Sequence, residues 1–181
     1  IDAILYLGYP GQAGGKALAH VLYGMHNPSG RLVATLYPDA YLDRAALGDM
    51  RMRPEESGGA PGDPDEGLYP GRTYRFYDGP AAYPFGHGLS YSAWAYSIES
   101  MTGNGNRPDD GEGRNRVSHV VVTVSNVGRV DGSDSVLLFH EGPGAGSGGV
   151  PIKSLIGFEK VHVEAGGARL VTFRVGEWMA A

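Results

Sequence analysis

Two blocks of different grammar predict the fold class, an α/β segment followed by an antiparallel β-sandwich. Residues 1 to 37 run strand, glycine loop, helix, turn and strand, the order of an α/β layer. From Val117 onward, short strand-like runs alternate with glycine turns, the pattern of a sandwich. Between the blocks lies YPFGHGLSYSAWAYSIES, Tyr83 to Ser100, in which a histidine framed by glycines leads into alternating residues.

Ala3, Ile4, Leu5, Tyr6 and Leu7 form a nearly continuous apolar run, as a strand covered on both faces requires. Ala13, Ala17 and Val21, with Leu18 and Leu22, make a stripe at helical spacing, and Gly24 stands where a C-terminal cap belongs. Asn27 to Gly30 carry turn chemistry, after which Leu32 to Tyr37 can resume as a strand. Residues 38 to 82 have weak periodicity and two glycine- and proline-punctuated stretches, so they read as a long excursion over the surface.

Gly86 and Gly88 let the backbone beside His87 take positive φ or approach another segment closely. Leu89, Tyr91, Ala93, Ala95 and Ser97 then fall on one strand face, with Ser90, Ser92, Trp94, Tyr96 and Ile98 on the other. Aromatic residues on both faces predict that both are covered. Thr102 to Arg116 has no large apolar residue and reads as a flexible linker or loop. The runs VSHVVVTVSN, SDSVLLFHE, IKSLIGFEKVHV and ARLVTFRV follow as strands. Four or five strands are visible where an immunoglobulin-like sandwich uses about seven, so the sandwich is expected to be incomplete.

Composition narrows the function. Thirty glycines and twelve prolines among 181 residues cluster between ordered blocks, which places loops there. A net charge of −5 without a long basic run argues against a nucleic-acid surface, which needs clustered Lys and Arg, and favours an uncharged polar ligand. The absence of cysteine removes disulfides, thiolate metal sites and cysteine nucleophiles, while leaving the compartment open. No apolar run approaches the roughly 20 residues that span a bilayer, so no membrane segment is predicted. Ile1 opens within a strand-like run without an initiator Met or a basic signal region, as an internal fragment would.

Most candidate chemistry fails on spacing. GYPGQAGGKA follows a strand and opens a helix, but Pro10 and Ala17 stand where a phosphate loop needs glycine and a hydroxyl. Among His20, His26, His87, His119, His140 and His162 no metal-binding spacing occurs, and no cofactor is implied. Ser, His and Asp are present without a GxSxG elbow. Asp49, Glu55, Glu56, Asp63, Asp65 and Glu66 could supply paired carboxylates by number alone, though a solvated acidic loop explains them as well. Arg51, Arg53, Arg72 and Arg75 beside Tyr69, Tyr74, Phe76 and Tyr77 either bind and stack against sugars or pin the loop to its neighbour. His87 is assigned as a packing residue at an interface.

Taken in order, GYPGQAGGKALAHVLYGMHNPSGRL, DMRMRP, YPGRTYRFYDGPAAYPFGHGLSY and the strand-rich tail resemble glycoside hydrolase family 3, in its plant-type β-xylosidase/α-L-arabinofuranosidase branch. The resemblance spans essentially the whole chain. It implies an N-terminal barrel, a middle α/β sandwich domain and a C-terminal fibronectin type III-like domain. Residues 1–40 would then end the α/β domain, 41–88 would be the connecting excursion, and 89–181 would be a fibronectin type III-like domain truncated at its C-terminus, with a flexible segment at 102–116.

Family members are retaining enzymes with an aspartate nucleophile on the first domain and, usually, a glutamate acid/base on the second, ahead of the GYPG segment. No catalytic residue is therefore assigned here, and the fragment alone is expected to be inactive. The family's final strands after TFRV are replaced by GEWMAA. Inter-domain support is assigned to Arg51, Arg53, Arg72, Arg75, Gly86, His87 and Gly88. The implied partners are an oligosaccharide or polysaccharide substrate, reached through the parent enzyme, and the barrel and remaining α/β domain of the same polypeptide. An extracellular or cell-wall location is implied by the resemblance alone. A non-catalytic carbohydrate-binding or scaffolding module is the competing reading. A β-glucosidase of the same family is another, although DMRMRP and YRFY incline toward pentosides.

Overall fold

A computed structural model describes residues 3–54, 69–102 and 117–176. The flexible segment expected within 102–116, the carboxylates Glu55, Glu56, Asp63, Asp65 and Glu66, and the end of the GEWMAA tail lie outside the described residues, apart from Thr102 and Gly176.

Strands β1 (Trp94–Thr102), β2 (Val117–Asn126), β3 (Gly132–His140), β4 (Ser154–Val163) and β5 (Ala168–Gly176) occupy the second half of the chain. The last four match the four predicted runs to within two residues. All pairings are antiparallel, in a three-stranded sheet of order β1-β2-β5 and a two-stranded sheet β3-β4. Alternation along β2 sends Val120, Val122 and Val124 inward. They meet Val136 of β3 and Val171 and Phe173 of β5, with Trp94, Leu138, Val161 and Val175 packed around them. Burying such side chains contributes roughly 1.5–3 kcal/mol each.

One expectation fails at β1. The strand begins at Trp94 rather than Leu89, because side-chain hydrogen bonds hold the preceding residues. Asn27 Oδ1 accepts from Ser90 Oγ and from Tyr91 N, both at 2.9 Å, and Ser90 Oγ accepts from Ser92 N at 3.1 Å. Nor are both faces of the strand covered. Register puts Trp94, Tyr96 and Ile98 opposite Asn126, Val124 and Val122, hence on the inner face. Yet Tyr96 is 50% and Ile98 63% exposed, because the facing sheet has two strands and its β4 packs against β2 and β5.

The first block is α/β in sequence but largely irregular in structure. Helix α1 (Gly14–Leu22) forms as predicted, and Gly24 (φ +73°) ends it by donating to Val21 O at 3.0 Å. The predicted strand at Ala3 to Leu7 is absent and its side chains are exposed, Tyr6 by 77%. A parallel-type strand requires neighbours on both edges to satisfy its backbone, and none is supplied by the described residues. Residues 32–37 pair only loosely with 83–87, through a bridge between Leu36 and Tyr83 and the bonds Leu32 N to His87 O and Gly86 N to Leu32 O, both 2.8 Å.

The excursion is more than a surface strap. A short 3-10 helix (Asp39–Asp43) and helix α2 (Thr73–Phe76) bring Tyr41, Ala45 and Tyr69 into a small second core flanked by Tyr37 and Tyr77. Tyr37 stacks on Tyr41 at 3.9 Å, and Tyr77 meets both edge-on at 5.2 Å. Its apolar content is tyrosine at irregular spacing, which gives no periodic signal.

Candidate functional site

The leading segment meets the sandwich along the outward face of β3, where Ser135, Leu137 and Phe139 alternate away from the core. Ser135 Oγ donates to Ser29 O at 3.2 Å, across more than a hundred residues of chain. Tyr74, from α2, stacks on Phe85 at 4.2 Å, and both approach the Phe139 ring edge-on, at 5.6 and 6.2 Å. The Tyr74 hydroxyl accepts from Leu155 N at 3.2 Å, and Ile152 N donates to Arg75 O at 2.6 Å. Thr73, which opens α2, has φ +62°, a costly conformation for a β-branched residue, and its N–H donates to Tyr37 Oη at 2.6 Å.

Gly86 and Gly88 are where this junction is tightest. Gly86 has φ +81°, and a Cβ placed there would lie 2.8 Å from Leu137 Cδ1. At Gly88 a Cβ would lie 2.5 Å from the Gly30 carbonyl oxygen, a backbone atom that cannot swing aside. His87 between them is half-buried, with its ring 5.4 Å from that of Tyr83. Its carbonyl, rather than its imidazole, makes the inter-segment bond to Leu32.

A charged cluster closes the other side. Arg31, from the NPSGRL turn, forms an ion pair with Asp134 of β3, whose side chain is 2% exposed. Tyr96 of β1 donates its hydroxyl to the same carboxylate and accepts from Arg31 Nη2 at 3.3 Å. Burial, then the hydrogen bond and charge of Asp134, push the Tyr96 phenol up to about 12. Asn27 adds a neutral tie, donating from Nδ2 to Asp131 O at 3.2 Å. Behind it, buried Asn126 donates to Val130 O at 2.8 Å and Val163 O at 3.1 Å and accepts from Ser92 Oγ and Gly128 N, so both ends of its amide are satisfied.

The four predicted support arginines cluster in the excursion. Arg51 pairs with Asp49 (Nη2 to Oδ2, 2.6 Å) and lies 4.5 Å over the Tyr69 ring. The Arg51 bonds hold the Asp49 carboxyl below its ordinary range. Arg72 donates from Nε to Tyr69 Oη at 2.7 Å and from Nη2 to Ala46 O at 3.2 Å. Arg53 and Arg75 flank the Phe76 ring at 5.7 and 5.5 Å. Tyr41 donates to Gly71 O at 2.9 Å, and its burial, with Tyr69 and Tyr37 nearby, drives its phenol far above the usual value.

Two clefts open on these parts. One, of about 390 Å³, is lined by Tyr37, Pro38, Asp39, Tyr41, Leu42, Ala45, Leu47 and Arg72. The other, of about 360 Å³, lies at the junction and includes Arg31, Gly88, Ser90, Ser92, Trp94, Tyr96 and Asp134 in its lining. Each has one carboxylate in its lining, whereas retaining glycoside hydrolysis uses two about 5 Å apart. Among the described residues no group of three potential metal ligands forms, and no helix is long and apolar enough to cross a membrane.

Comparison with known proteins identifies the chain. The model of the glycosyl hydrolase family 3 C-terminal domain matches residues 1–91, half of the sequence. The chain belongs to glycoside hydrolase family 3. It is 39% identical to the probable beta-D-xylosidase 6 of Arabidopsis thaliana, over 91% of this chain and 23% of that protein. It is 36% identical to beta-xylosidase/alpha-L-arabinofuranosidase 2 of Medicago sativa subsp. varia, over 97% and 23%. Among solved structures, the family 3 exo-beta-xylosidase XlnD in complex with a xylobiose aziridine probe superposes with a TM-score of 0.70 at 30% identity, over 96% of this chain and 23% of that one. A family 3 beta-glucosidase from Bifidobacterium adolescentis superposes with a TM-score of 0.66 at 32% identity, over 93% and 23%. The chain thus spans just under a quarter of the length of these relatives.

Within this family 3 segment the residues that sequence reasoning missed are Arg31, Asp134, Tyr96, Asn27 and Asn126. Asp134 carried a signal, since it is a lone acid at an inward position of an otherwise apolar alternation. An inward carboxylate requires a cation. The sequence does not say that the cation comes from a turn more than a hundred residues earlier.

Proposed function

We propose that this chain is the C-terminal portion of a retaining exo-glycosidase that removes β-xylosyl and α-L-arabinofuranosyl residues from xylan-type polysaccharides, and that its own part is to position rather than to react. In this reading residues 1–40 complete the α/β sandwich domain, 41–88 connect, and 89–181 form a fibronectin type III-like domain. Both catalytic carboxylates belong to other parts of the polypeptide. The protein works outside the cell or in the cell wall.

The observation that carries the reading is alignment across 91–97% of the chain with proteins named as β-xylosidases or β-xylosidase/α-L-arabinofuranosidases. The geometry supports the positioning role. Arg31, Gly86, Gly88 and Tyr74 tie the leading segment to β3, while Arg51, Arg53, Arg72 and Arg75 brace the excursion. A shift of about 1 Å in such a support can cost a factor of a hundred in rate. The exposed run Ala3 to Leu7 is then a strand whose neighbours belong to the remainder of the α/β domain.

The test is a panel of nitrophenyl glycosides on the full-length polypeptide. Turnover of the β-xyloside and the α-L-arabinofuranoside well above the β-glucoside is expected. Preference for the glucoside would favour the β-glucosidase reading, which the likeness to solved β-glucosidases supports. Absence of turnover on all three would favour a non-catalytic module.

A further inference from the structure

We propose that Arg53, Arg75 and Lys153 form a binding surface for the uronate carboxylates of a substituted xylan chain. The polymer class rests on the glycosidase reading above, and the charge comes from the residues themselves.

The three cations come from two parts of the chain that the fold brings together. Arg53 and Arg75 belong to the excursion, and their guanidinium carbons lie 5.7 and 5.5 Å from the centre of the same ring, that of Phe76. Lys153 follows the glycine-rich stretch between β3 and β4, and its Nζ lies 5.1 Å from the centre of the Phe139 ring. That stretch touches both arginines. A Cβ placed at Gly149 would lie 3.2 Å from Arg53 Cδ, and the bond from Ile152 N to Arg75 O, 2.6 Å long, fixes the backbone beside Lys153. Tyr74, next to Arg75, meets the Phe139 ring under Lys153 edge-on at 5.6 Å.

These cations are unspent. None of the three forms an ion pair with a carboxylate among the described residues, whereas Arg31 and Arg51 each do. Their side chains also donate no hydrogen bond to a described residue, because the contacts they make are with ring faces. A cation held over a ring keeps its N–H donors, five on each guanidinium and three on the ammonium. Arg53 and Arg75 are exposed and Lys153 is half-buried, so the donors are open to a ligand. Beside Arg53, the backbone N–H groups of Gly148 and Gly149 likewise have no acceptor among the described residues.

A surface made only of donors and positive charge is complementary to an anion that only accepts. The planar guanidinium matches a carboxylate with two parallel bonds. The chain as a whole carries a net charge of −5, so the attraction is local and a densely charged polyanion is repelled elsewhere. Sparse carboxylates on an otherwise neutral polymer fit both conditions.

The experiment measures binding of the full-length polypeptide to immobilised glucuronoxylan, arabinoxylan and polygalacturonate by biolayer interferometry. Glucuronoxylan is expected to bind tightest. Its advantage over arabinoxylan should vanish between about 0.1 and 1 M salt, as the screening length falls from about 10 to about 3 Å. This arm uses the parent protein alone. The double variant Arg53→Gln/Arg75→Gln should weaken the hold on glucuronoxylan about fivefold more than that on arabinoxylan, and the charge-preserving Arg53→Lys/Arg75→Lys should keep most of the difference. Equal affinity for the two xylans, an advantage that survives 1 M salt, or a glutamine variant that weakens both alike overturns the proposal. Tighter binding of polygalacturonate overturns it as well. Nitrophenyl xyloside turnover by the same polypeptide separates the two readings. Turnover with equal hold on both xylans discards this surface and keeps the glycosidase, and a glucuronoxylan preference without turnover does the reverse.

Discussion

The sandwich and the segment that precedes it are held by different physics. In the sandwich, stability is local and apolar, since Val120, Val122, Val124, Val171 and Phe173 come from two adjacent strands of one sheet and close a core with Val136. In the leading segment the apolar residues Ile4, Tyr6, Leu22 and Val33 face outward, and order comes from polar and aromatic ties to distant partners. Arg31 reaches Asp134, Asn27 reaches Asp131, and Ser29 receives Ser135. An element that buries its own face is specified by its own alternation. One held by ties to distant residues is specified by its fit.

Substitutions should separate the two regimes. Phe173→Ala should have the largest effect, about 3–5 kcal/mol by urea unfolding, because a cavity opens in the larger apolar core among the described residues. The leading segment should melt with it, having lost its platform. Gly88→Val should cost less, about 1–3 kcal/mol. It forces the backbone apart at Gly30. Its mark should be selective, with faster amide hydrogen exchange at Leu32 and Gly86 and little change at Val122 and Val171. Uniform acceleration in both regions would erase the distinction.

Tyr41→Phe removes the bond to Gly71 O and should lower stability by about 1 kcal/mol, measured by the same unfolding curve. Asp49→Asn gives the smallest change. The Asp49 carboxyl is held below its ordinary value, so its contribution is present above the unfolded value and is lost as pH falls through the folded one. Thermal unfolding of the variant should therefore differ from the parent at neutral pH and converge with it below about pH 4.

The same contrast explains what was legible in the sequence. Strands β2 to β5 follow from two-residue alternation between glycine turns, and their ends agree closely. Helix α1 and its Gly24 cap follow from a helical stripe. The close approach at Gly86 and Gly88 was readable because glycines on either side of a histidine between aromatic residues free the backbone for positive φ or close contact. The start of β1 was not, because Asn27, more than sixty residues upstream, holds Ser90 and Tyr91. The tyrosine core of the excursion was equally silent, since Tyr37, Tyr41, Tyr69 and Tyr77 follow no repeat and pack through ring geometry. Ala3 to Leu7 carry a strand pattern that this chain's described residues do not satisfy.

The Arg31–Asp134 ion pair ties the leading segment to β3 across more than a hundred residues of chain, beside the aromatic contacts of Tyr74 and Phe85 with Phe139. A double-mutant cycle of Arg31→Met and Asp134→Asn, read as unfolding free energy, tests it most directly. A coupling above about 1.5 kcal/mol is expected, as for groups sharing one hydrogen-bonded network. Additive effects, with coupling within about 0.5 kcal/mol of zero, would contradict it.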